Sequence, residues 1–168
     1  MAINKVEMSQ VEANATASAF LAGVGTEIGN NFVLVGSLRR RRAIVHDVDI
    51  LIRSVDSDLM SKFFLDCQTA LFVTIHKWGA KLASLTYCYV PFDLYFSTPE
   101  TFATLLLIRT GSKENNIRLC SIAKSKGWKL HASGDGLFNE QGERIAGDSE
   151  RSIYDALGVQ WQEPWERG

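Results

Sequence analysis

Asp47 and Asp49, separated by one valine, are two carboxylates that a predicted strand would present on one face. Two unit charges about 4 Å apart repel by about 4 kcal/mol at an effective dielectric constant near 20. Such a pair is stable if it shares a proton or binds a divalent cation, and oxygen ligands suit Mg²⁺. Because surface strands also carry Asp-x-Asp, this pair alone leaves a simple exposed strand as an alternative.

A third acid, Asp93, stands among apolar residues. In the predicted strand over 92–96, three apolar residues share one face, and Asp93 lies on the other face with Tyr95. Charged side chains are rarely placed in such strands unless they are paired. If this strand lies beside the one that carries Asp49, three carboxylates converge. Two Mg²⁺ ions about 3.5–4 Å apart are a known arrangement for phosphoryl and nucleotidyl transfer.

A Gly-Ser pair follows a β-rich run, and Ser37 precedes Asp47 by ten residues. Gly36 allows the backbone to approach a ligand closely. Ser37 offers a hydroxyl and a backbone N–H at the start of a predicted helical turn, which suits phosphate. Arg40 offers bidentate contacts to phosphate oxygens. We therefore predict a triphosphate site beside the aspartates.

Basic residues are concentrated in the segment 109–131 of a chain whose formal net charge is −1. Six lysines and arginines against one acid give this segment +5 (6 − 1). We expect it to contact nucleic-acid phosphates, and a solvated helix face is the alternative. The candidate DNA contacts are Lys113, Arg118, Lys124 and Lys126. Outside the segment, Arg41 and Arg42 are interpreted as surface residues or nucleic-acid contacts.

The elements that must position these residues are predicted from hydrophobic periodicity and from glycine and proline positions. Strands are predicted over 32–36, 47–53, 73–78, 81–90 and 92–96, with Pro91 as a break. Helices are predicted over 4–29 and 56–72, and from Thr98 onward. Short strands over 128–132 and 136–140 precede a last helix that ends at Gly158. This order predicts an α+β fold with a mixed sheet and a smaller, mainly helical lobe.

Composition limits the class of protein. A chain of 168 residues with 46% hydrophobic residues suits one globular unit or two small lobes. Three cysteines without a CxxC motif indicate neither a disulfide framework nor a zinc site. No apolar run reaches the roughly 18 residues of a membrane span, and the start lacks a signal-peptide core. We expect an intracellular protein, cytoplasmic or nucleoid-associated, of viral or phage origin as one option, without membrane association.

The Gly-Ser pair, the Asp-x-Asp pair and the distant Asp93 together resemble the signature of the nucleotidyltransferase superfamily. The segment 110–168 resembles the thumb of family X DNA polymerases, the polymerase-beta-like group, and the whole resemblance covers roughly 33–168. The matching features are Thr110-Gly111-Ser112, the helix ending at Lys126-Gly127, the Leu157-Gly158 helix end and Glu163-Pro164. The resemblance implies a nucleotidyltransferase-type palm over 1–105, including the N-terminal helix, and a thumb over 106–168 with a short β element.

The resemblance also implies roles for single residues. Asp47, Asp49 and Asp93 match the catalytic aspartates that bind two Mg²⁺ ions, with Mn²⁺ as a substitute, and Asp93 would also accept the proton of the primer 3′-hydroxyl. The matching nucleotide contacts are Gly36, Ser37, Arg40, Ile108, Arg109, Gly111, Ser112 and Asn116. The Gly111-Ser112 turn contains a cis peptide in the family, and we expect one here.

The chain departs from the family pattern at three places. His46 replaces a usual glycine before the first aspartate, and Ile108-Arg109 replace an aromatic pair that packs on the incoming sugar. Only 35 residues precede Gly36, too few for the family's N-terminal lyase and helix-hairpin-helix regions. The chain thus resembles a minimal palm-plus-thumb form known from a viral member, and we expect no 5′-deoxyribose-phosphate lyase activity.

The function implied by the resemblance is that of a Mg²⁺-dependent, DNA-directed DNA polymerase of family X that fills short gaps in DNA repair. Its expected partners are deoxynucleoside triphosphates and primer-template or gapped DNA, bound by a monomer. One alternative is a template-independent or small-molecule nucleotidyltransferase with the same metal site. Another is a nucleic-acid-binding module without activity, against which the intact aspartates argue.

Overall fold

A computed structural model describes residues 6–24, 28–53 and 57–168. Its strands are β1 (Met8–Ser9), β2 (Phe32–Leu34), β3 (Ile44–Val45), β4 (Val48–Ile52), β5 (Val73–Trp78), β6 (Leu82–Tyr87), β7 (Val90–Phe96), β8 (Lys129–His131), β9 (Gly136–Phe138) and β10 (Arg144–Ala146). Its helices are α1 (Gln10–Val24), α2 (Gly36–Arg39), α3 (Ser57–Thr69), α4 (Pro99–Thr110), α5 (Lys113–Ser125) and α6 (Glu150–Leu157), with a 3₁₀ turn over Pro164–Glu166. The fold is α+β, with a mixed sheet and helices, as the sequence predicts.

The larger lobe is built on a five-stranded sheet in the order β2-β4-β7-β6-β5. Two of its three interior strands, β4 and β7, run parallel to each other, and the other neighbouring pairs are antiparallel. The last three residues of β4, 50–52, are buried on both faces of the sheet, as expected for a central strand. The parallel register sets Asp49 directly opposite Asp93. Two distant parts of the chain thereby place two acids side by side.

One face of the sheet is covered by α1 and α3. Small alanines of α1 let this helix approach the sheet, and Phe20 and Phe63 fill the space between helices and strands. The opposite face carries Asp49, Asp93 and Tyr95. There α4 covers only part of the sheet, through a small cluster of Leu105 with residues of β2 and β4. The uncovered part of this face is where the acids lie.

The smaller lobe has its own core. Leu107 of α4, Leu119 of α5, Leu137 of β9 and Tyr154 of α6 are buried together in it. Sequence signals begin and end its helices: Thr98 forms a capping box at the start of α4, Ser112 caps α5, Ser149 caps α6, and Gly158 ends α6 with a left-handed backbone. Because α4 contributes to the cores of both lobes, it joins them.

A buried carboxylate fastens the two lobes. Glu150, at the start of α6, accepts hydrogen bonds from Arg39 at 2.7 and 2.9 Å and from Arg167 at 2.6 Å. Arg39 also donates to the Thr110 hydroxyl at 2.5 Å. Burial alone would raise the pKa of Glu150, but the hydrogen bonds and charges of the two arginines outweigh it and lower that pKa. We call Arg39, Glu150 and Arg167 the junction triad; the contacts between them were not predicted from the sequence.

Several boundaries differ from the sequence prediction. Helix α1 begins at Gln10, because Met8–Ser9 pair with Ile44–Val45 instead. Residues 4–5 and 25–27 of the predicted helix lie outside the described residues. Strand β10, which completes a three-stranded sheet with β8 and β9, was not predicted.

Two further differences concern β4 and β7. Asp47 lies in a bend before β4, outside the strand. Pro91 does not break β7 but lies within it. At Pro91 the strand has a partner only in β6, because its pairing with β4 begins at Phe92. A missing N–H on the unpaired side therefore costs no ladder hydrogen bond.

Within the described ranges, none of the helices combines the length and the apolar character that crossing a membrane would require.

Candidate active site

Asp49 and Asp93 form a row with Ser84 across three adjacent strands. Asp49 of β4 is paired with Asp93 of β7, and Asp93 is in turn paired with Ser84 of β6. Ser84 Oγ donates a hydrogen bond to Asp93 Oδ1 at 2.5 Å. Tyr95, two residues beyond Asp93 and on the same face, donates its hydroxyl to Asp49 Oδ1 at 3.2 Å. Each carboxylate is thus held by one neutral hydroxyl.

Asp47 completes what we call the aspartate cluster (Asp47, Asp49 and Asp93). Its side chain lies on the exposed bend before β4, whereas Asp49 and Asp93 are half-buried. Burial and the negative charges of Asp47 and Asp93 raise the pKa of Asp49 to about 7. The hydrogen bond from Tyr95 and the charge of Arg40 act in the opposite direction without cancelling the effect. The charge of Arg40 therefore offsets only part of the effect of burial and of the neighbouring acids on Asp49.

The donor set of the cluster fits a hard divalent cation, since carboxylate oxygens are the ligands that Mg²⁺ prefers. The carboxylates are not gathered into a preformed cage, because nowhere in the described chain do three or more His, Cys, Asp or Glu side chains stand closely enough to hold a metal ion. The fit rests on the oxygen chemistry and on the charge that raises the pKa of Asp49.

The Gly36-Ser37 turn lies directly beside Asp49. Gly36 has φ of +56°, and a Cβ added there would stand 1.9 Å from Asp49 Oδ2. A side chain at position 36 is therefore excluded, both by the left-handed backbone and by the carboxylate. The buried Ser37 hydroxyl has no hydrogen-bond partner among the residues that the structure describes. The unpartnered hydroxyl of Ser37 therefore lies in a turn whose first residue must be glycine.

The side chain of Arg40, three residues after Ser37, forms hydrogen bonds with the smaller lobe. It donates to the carbonyl oxygen of Thr110 at 2.6 Å and to that of Gly111 at 3.4 Å. Its buried Nε has no partner in the described part of the chain. Burial and the charge of Arg42 lower the pKa of Arg40. The sequence assigned Arg40 to phosphate alone, whereas the structure shows that it also links the two lobes.

The turn between α4 and α5 brings two asparagines against Gly111. A Cβ on Gly111 would stand 2.6 Å from Asn116 Oδ1 and 2.9 Å from Asn115 Nδ2. Asn116 donates to the Ile108 carbonyl at 2.8 Å, while its buried Oδ1 has no partner within the described ranges. Ser112 accepts a hydrogen bond from the Asn115 N–H as the cap of α5.

The expectation of a cis peptide at this turn is wrong, because all peptide bonds in the described ranges are trans. Gly111 has φ of −59° and ψ of 153°, which is an ordinary extended conformation.

Arg109 and Tyr95 line a cleft of about 790 Å³ between the lobes, together with Trp78, Lys81 and Ser133. The Arg109 guanidinium lies 4.3 Å from the centre of the Tyr95 ring, a cation–π distance. Sequence reasoning named Arg109 but gave Tyr95 no role. The signal that could have identified Tyr95 is its position two residues after Asp93, on the polar face of β7.

The candidate DNA contacts differ in their surroundings. Lys113, Lys124 and Lys126 are exposed. Arg118 is partly buried and donates to Asn115 at 3.0 Å and to Gln162. The guanidinium of Arg118 therefore holds the C-terminal segment within the smaller lobe. Arg41, interpreted from the sequence as a surface residue or nucleic-acid contact, stacks on Trp165 with its guanidinium 4.0 Å from the ring centre, which is another contact between the lobes.

Comparison with known proteins agrees with this geometry. Residues 105–168 match the family model for the DNA polymerase beta thumb. The chain is 31% identical to the DNA polymerase/3′-5′ exonuclease PolX of Bacillus subtilis over 129 residues, which are 76% of this chain and 22% of that protein. The chain thus spans about a fifth of the length of this curated relative.

A crystal structure of Leishmania infantum polymerase beta, in a ternary P/T complex, superposes with a TM-score of 0.81 at 20% identity. The superposition covers 99% of this chain and 78% of the other, so both lobes follow one fold. The thumb match and the PolX similarity make the chain similar in sequence to family X polymerases, and the superposition shows that it has the fold of polymerase beta.

Proposed function

We propose that the chain is a DNA-directed DNA polymerase that adds deoxynucleotides to a primer 3′-hydroxyl, with short gaps in damaged DNA as its substrate. The observation that carries the proposal is the pairing of Asp49 with Asp93 beside the Gly36-Ser37 turn. A chain that also matches the polymerase beta thumb combines a site for phosphate chemistry with a lobe suited to a primer-template.

Asp47, Asp49 and Asp93 would hold two Mg²⁺ ions, for which Mn²⁺ is a substitute. Bound divalent cations supply charge neutralisation for the triphosphate and for the oxygens that gain negative charge in the reaction. The raised pKa of Asp49 supports this assignment, because burial and the charges of Asp47 and Asp93 disfavour its ionised form, which a bound cation would favour.

Asp93 accepts the proton of the primer 3′-hydroxyl in this proposal. Ser84 donates a hydrogen bond to Oδ1 of the same carboxylate. The 3′-oxygen forms a bond to the α-phosphorus, the bond from that phosphorus to the bridging oxygen of the β-phosphate breaks, and pyrophosphate leaves. The primer is one nucleotide longer, and all atoms are accounted for.

Three buried polar atoms of the site lack a partner among the described residues and are proposed contacts for the incoming nucleotide. The Ser37 hydroxyl and the Arg40 Nε–H would donate to phosphate oxygens. Asn116 Oδ1 can accept a hydrogen bond from the base or sugar. Ile108, Arg109, Gly111 and Ser112 would form the wall on the side of the smaller lobe.

DNA would lie along three exposed lysines, Lys113 and Lys124 of α5 and Lys126 just after it. The partly buried Arg118 would contribute less directly. The ternary P/T complex of the Leishmania relative supports DNA binding by this fold. We propose that the chain acts as a monomer on deoxynucleoside triphosphates and gapped duplex.

The test gives the purified protein Mg²⁺, four deoxynucleotides and a labelled primer at a one-nucleotide gap, with a blunt duplex and a lone single strand as controls. We expect addition of the nucleotide that the template base dictates, at the gap only. Addition without a template would support a template-independent nucleotidyltransferase instead. Absence of any transfer with either Mg²⁺ or Mn²⁺ would contradict both.

A further inference from the structure

Neutral hydroxyl groups hold both half-buried carboxylates of the aspartate cluster. Ser84 donates to Asp93 Oδ1 at 2.5 Å, and Tyr95 donates to Asp49 Oδ1 at 3.2 Å. Both donors come from strands of the same sheet as their acceptors, since Ser84 lies on β6 and Tyr95 on β7. A hydrogen bond between rigid strands fixes the rotation of a carboxylate better than a contact from a loop.

The nature of these donors distinguishes the cluster from the junction triad. Glu150 receives its hydrogen bonds from two guanidinium groups, whose charges neutralise it. A hydroxyl orients a carboxylate but brings no positive charge, so the acid keeps its full attraction for a cation. Donors of this kind suit an acid that must bind a divalent ion.

The second oxygen of Asp49 faces the ligand side of the site. Oδ2 is the atom that a Cβ on Gly36 would meet, so it points to the Gly36-Ser37 turn while Oδ1 is held by Tyr95. The ring of Tyr95 is itself fixed, because the Arg109 guanidinium lies 4.3 Å from its centre. A chain of contacts therefore leads from α4 through Arg109 and Tyr95 to Asp49.

We propose that Ser84 and Tyr95 are positioning residues, which hold Asp93 and Asp49 with one oxygen each and present the other oxygen to a divalent cation. This inference rests on the proposed function, because it assigns to the two hydroxyls the task of preparing its metal site. Loss of a partner that orients a metal ligand commonly weakens metal affinity by about 10- to 100-fold.

The test measures dissociation constants for Mg²⁺ and Mn²⁺ by calorimetric titration of the whole chain. Ser84→Ala and Tyr95→Phe each remove one hydroxyl and keep the packing, and we expect each to weaken binding about tenfold, with an unchanged unfolding free energy. Ser84→Thr, which keeps the hydroxyl that Ser84→Ala removes, should bind the metal with nearly the original affinity. Tyr87→Phe is the matched control, because Tyr87 lies in the same sheet with its ring against Phe20 and Phe92.

The variants Asp49→Asn and Asp93→Asn distinguish a failure of the positioning role from a failure of the proposed metal site. If these variants lose metal binding while Ser84→Ala and Tyr95→Phe bind like the original protein, the positioning role is wrong and the proposed metal site stands. If the aspartate variants also bind metal as tightly as the original, the metal site itself is wrong, and the positioning role falls with it.

Discussion

The aspartate cluster and the junction triad both take carboxylates out of water, but they do so with opposite electrostatic results. At the junction, Arg39 and Arg167 lower the pKa of Glu150 despite its burial. In the cluster, burial and neighbouring acids raise the pKa of Asp49 to about 7. The same functional group is neutralised by guanidinium groups at one place and held by neutral hydroxyls at the other.

This difference indicates different tasks. Leaving a buried charge without a partner destabilises a fold, so a carboxylate that only supports structure is expected to be compensated, as Glu150 is. An acid kept beside other acids costs stability unless something outside the chain supplies the positive charge. This contrast supports the proposal that the cluster binds a cation, whereas the hydrogen bonds of the junction triad fasten the lobes.

The largest expected effect is that of Asp93→Asn on catalysis. The change removes a proposed metal ligand and the proposed proton acceptor, and we expect nucleotide incorporation to fall about a thousandfold or more, equivalent to about 4 kcal/mol. The unfolding free energy without Mg²⁺ should stay level or rise, because one repulsive charge is lost. Single-turnover primer extension and denaturant unfolding check the two parts, and near-normal extension would remove Asp93 from the mechanism.

Glu150→Gln should show the reverse pattern. Two guanidinium groups lose their compensating charge, and breaking such a buried pair costs about 3–5 kcal/mol of stability. Asp148→Asn is the matched control, because it breaks an exposed pair with Arg144 and should cost less than about 1 kcal/mol. Urea unfolding of the three proteins makes the comparison. Equal losses for Glu150→Gln and Asp148→Asn would show that the junction triad does not fasten the lobes.

Stability without divalent cations should depend on pH in opposite directions at the two places. The folded pKa of Asp49 is raised, so its contribution is favourable at low pH and is lost as the pH rises from about 4 to about 7. The folded pKa of Glu150 is lowered, so its contribution is present above the pKa of an unfolded Glu and is lost as the pH falls through the folded value.

Between pH 5 and 7, Asp49→Asn should therefore flatten the decline in unfolding free energy, by at most about 1.4 kcal/mol per pH unit for one proton. Glu150→Gln should leave the slope in this range unchanged, since its titration lies lower. Urea unfolding across the pH range gives the slopes. A slope that Asp49→Asn does not alter would mean that Asp49 titrates normally.

The smallest expected effect concerns the choice of sugar. Ile108-Arg109 stand where the resembled polymerases have an aromatic pair, and the structure shows that Arg109 lies on Tyr95. We expect discrimination against ribonucleotides to be weaker than in an aromatic-pair enzyme by about 1–2 kcal/mol, or about five- to thirtyfold. The double change Ile108→Tyr and Arg109→Phe should raise it. The comparison is kcat/KM for a deoxynucleotide and its ribonucleotide, and several-thousandfold rejection unaffected by the double change would contradict the idea.

Local patterns made the strands that carry the acids predictable. Asp93 was recognisable because a single acid on an apolar strand is rare, and its pairing with Asp49 follows from the parallel register of β4 and β7. The register itself depends on packing across the whole sheet, which no local pattern specifies. The same limit applies to Pro91, whose place in β7 depends on where β4 begins to pair.

Contacts between distant segments could not be predicted. Arg39 and Glu150 are 111 residues apart, and the sequence of α6 shows Glu150 only as an acid near a helix start, a common surface position. Arg40 matched a phosphate contact, but its hydrogen bond to Thr110 depends on how the lobes meet. These residues differ from the aspartates in that their partners are set by tertiary structure alone.

The most direct test of the contrast between the two regions is the gain in unfolding free energy that Mg²⁺ gives to four proteins, the original chain, Asp49→Asn, Asp93→Asn and Glu150→Gln. At ten times its dissociation constant, a bound ion stabilises the folded state by about 1.4 kcal/mol. We predict this gain for the original chain and for Glu150→Gln, whose overall stability is lower, and its loss in both aspartate variants. An equal gain in all four proteins, or a loss confined to Glu150→Gln, would contradict the assignment of the aspartate cluster to metal binding.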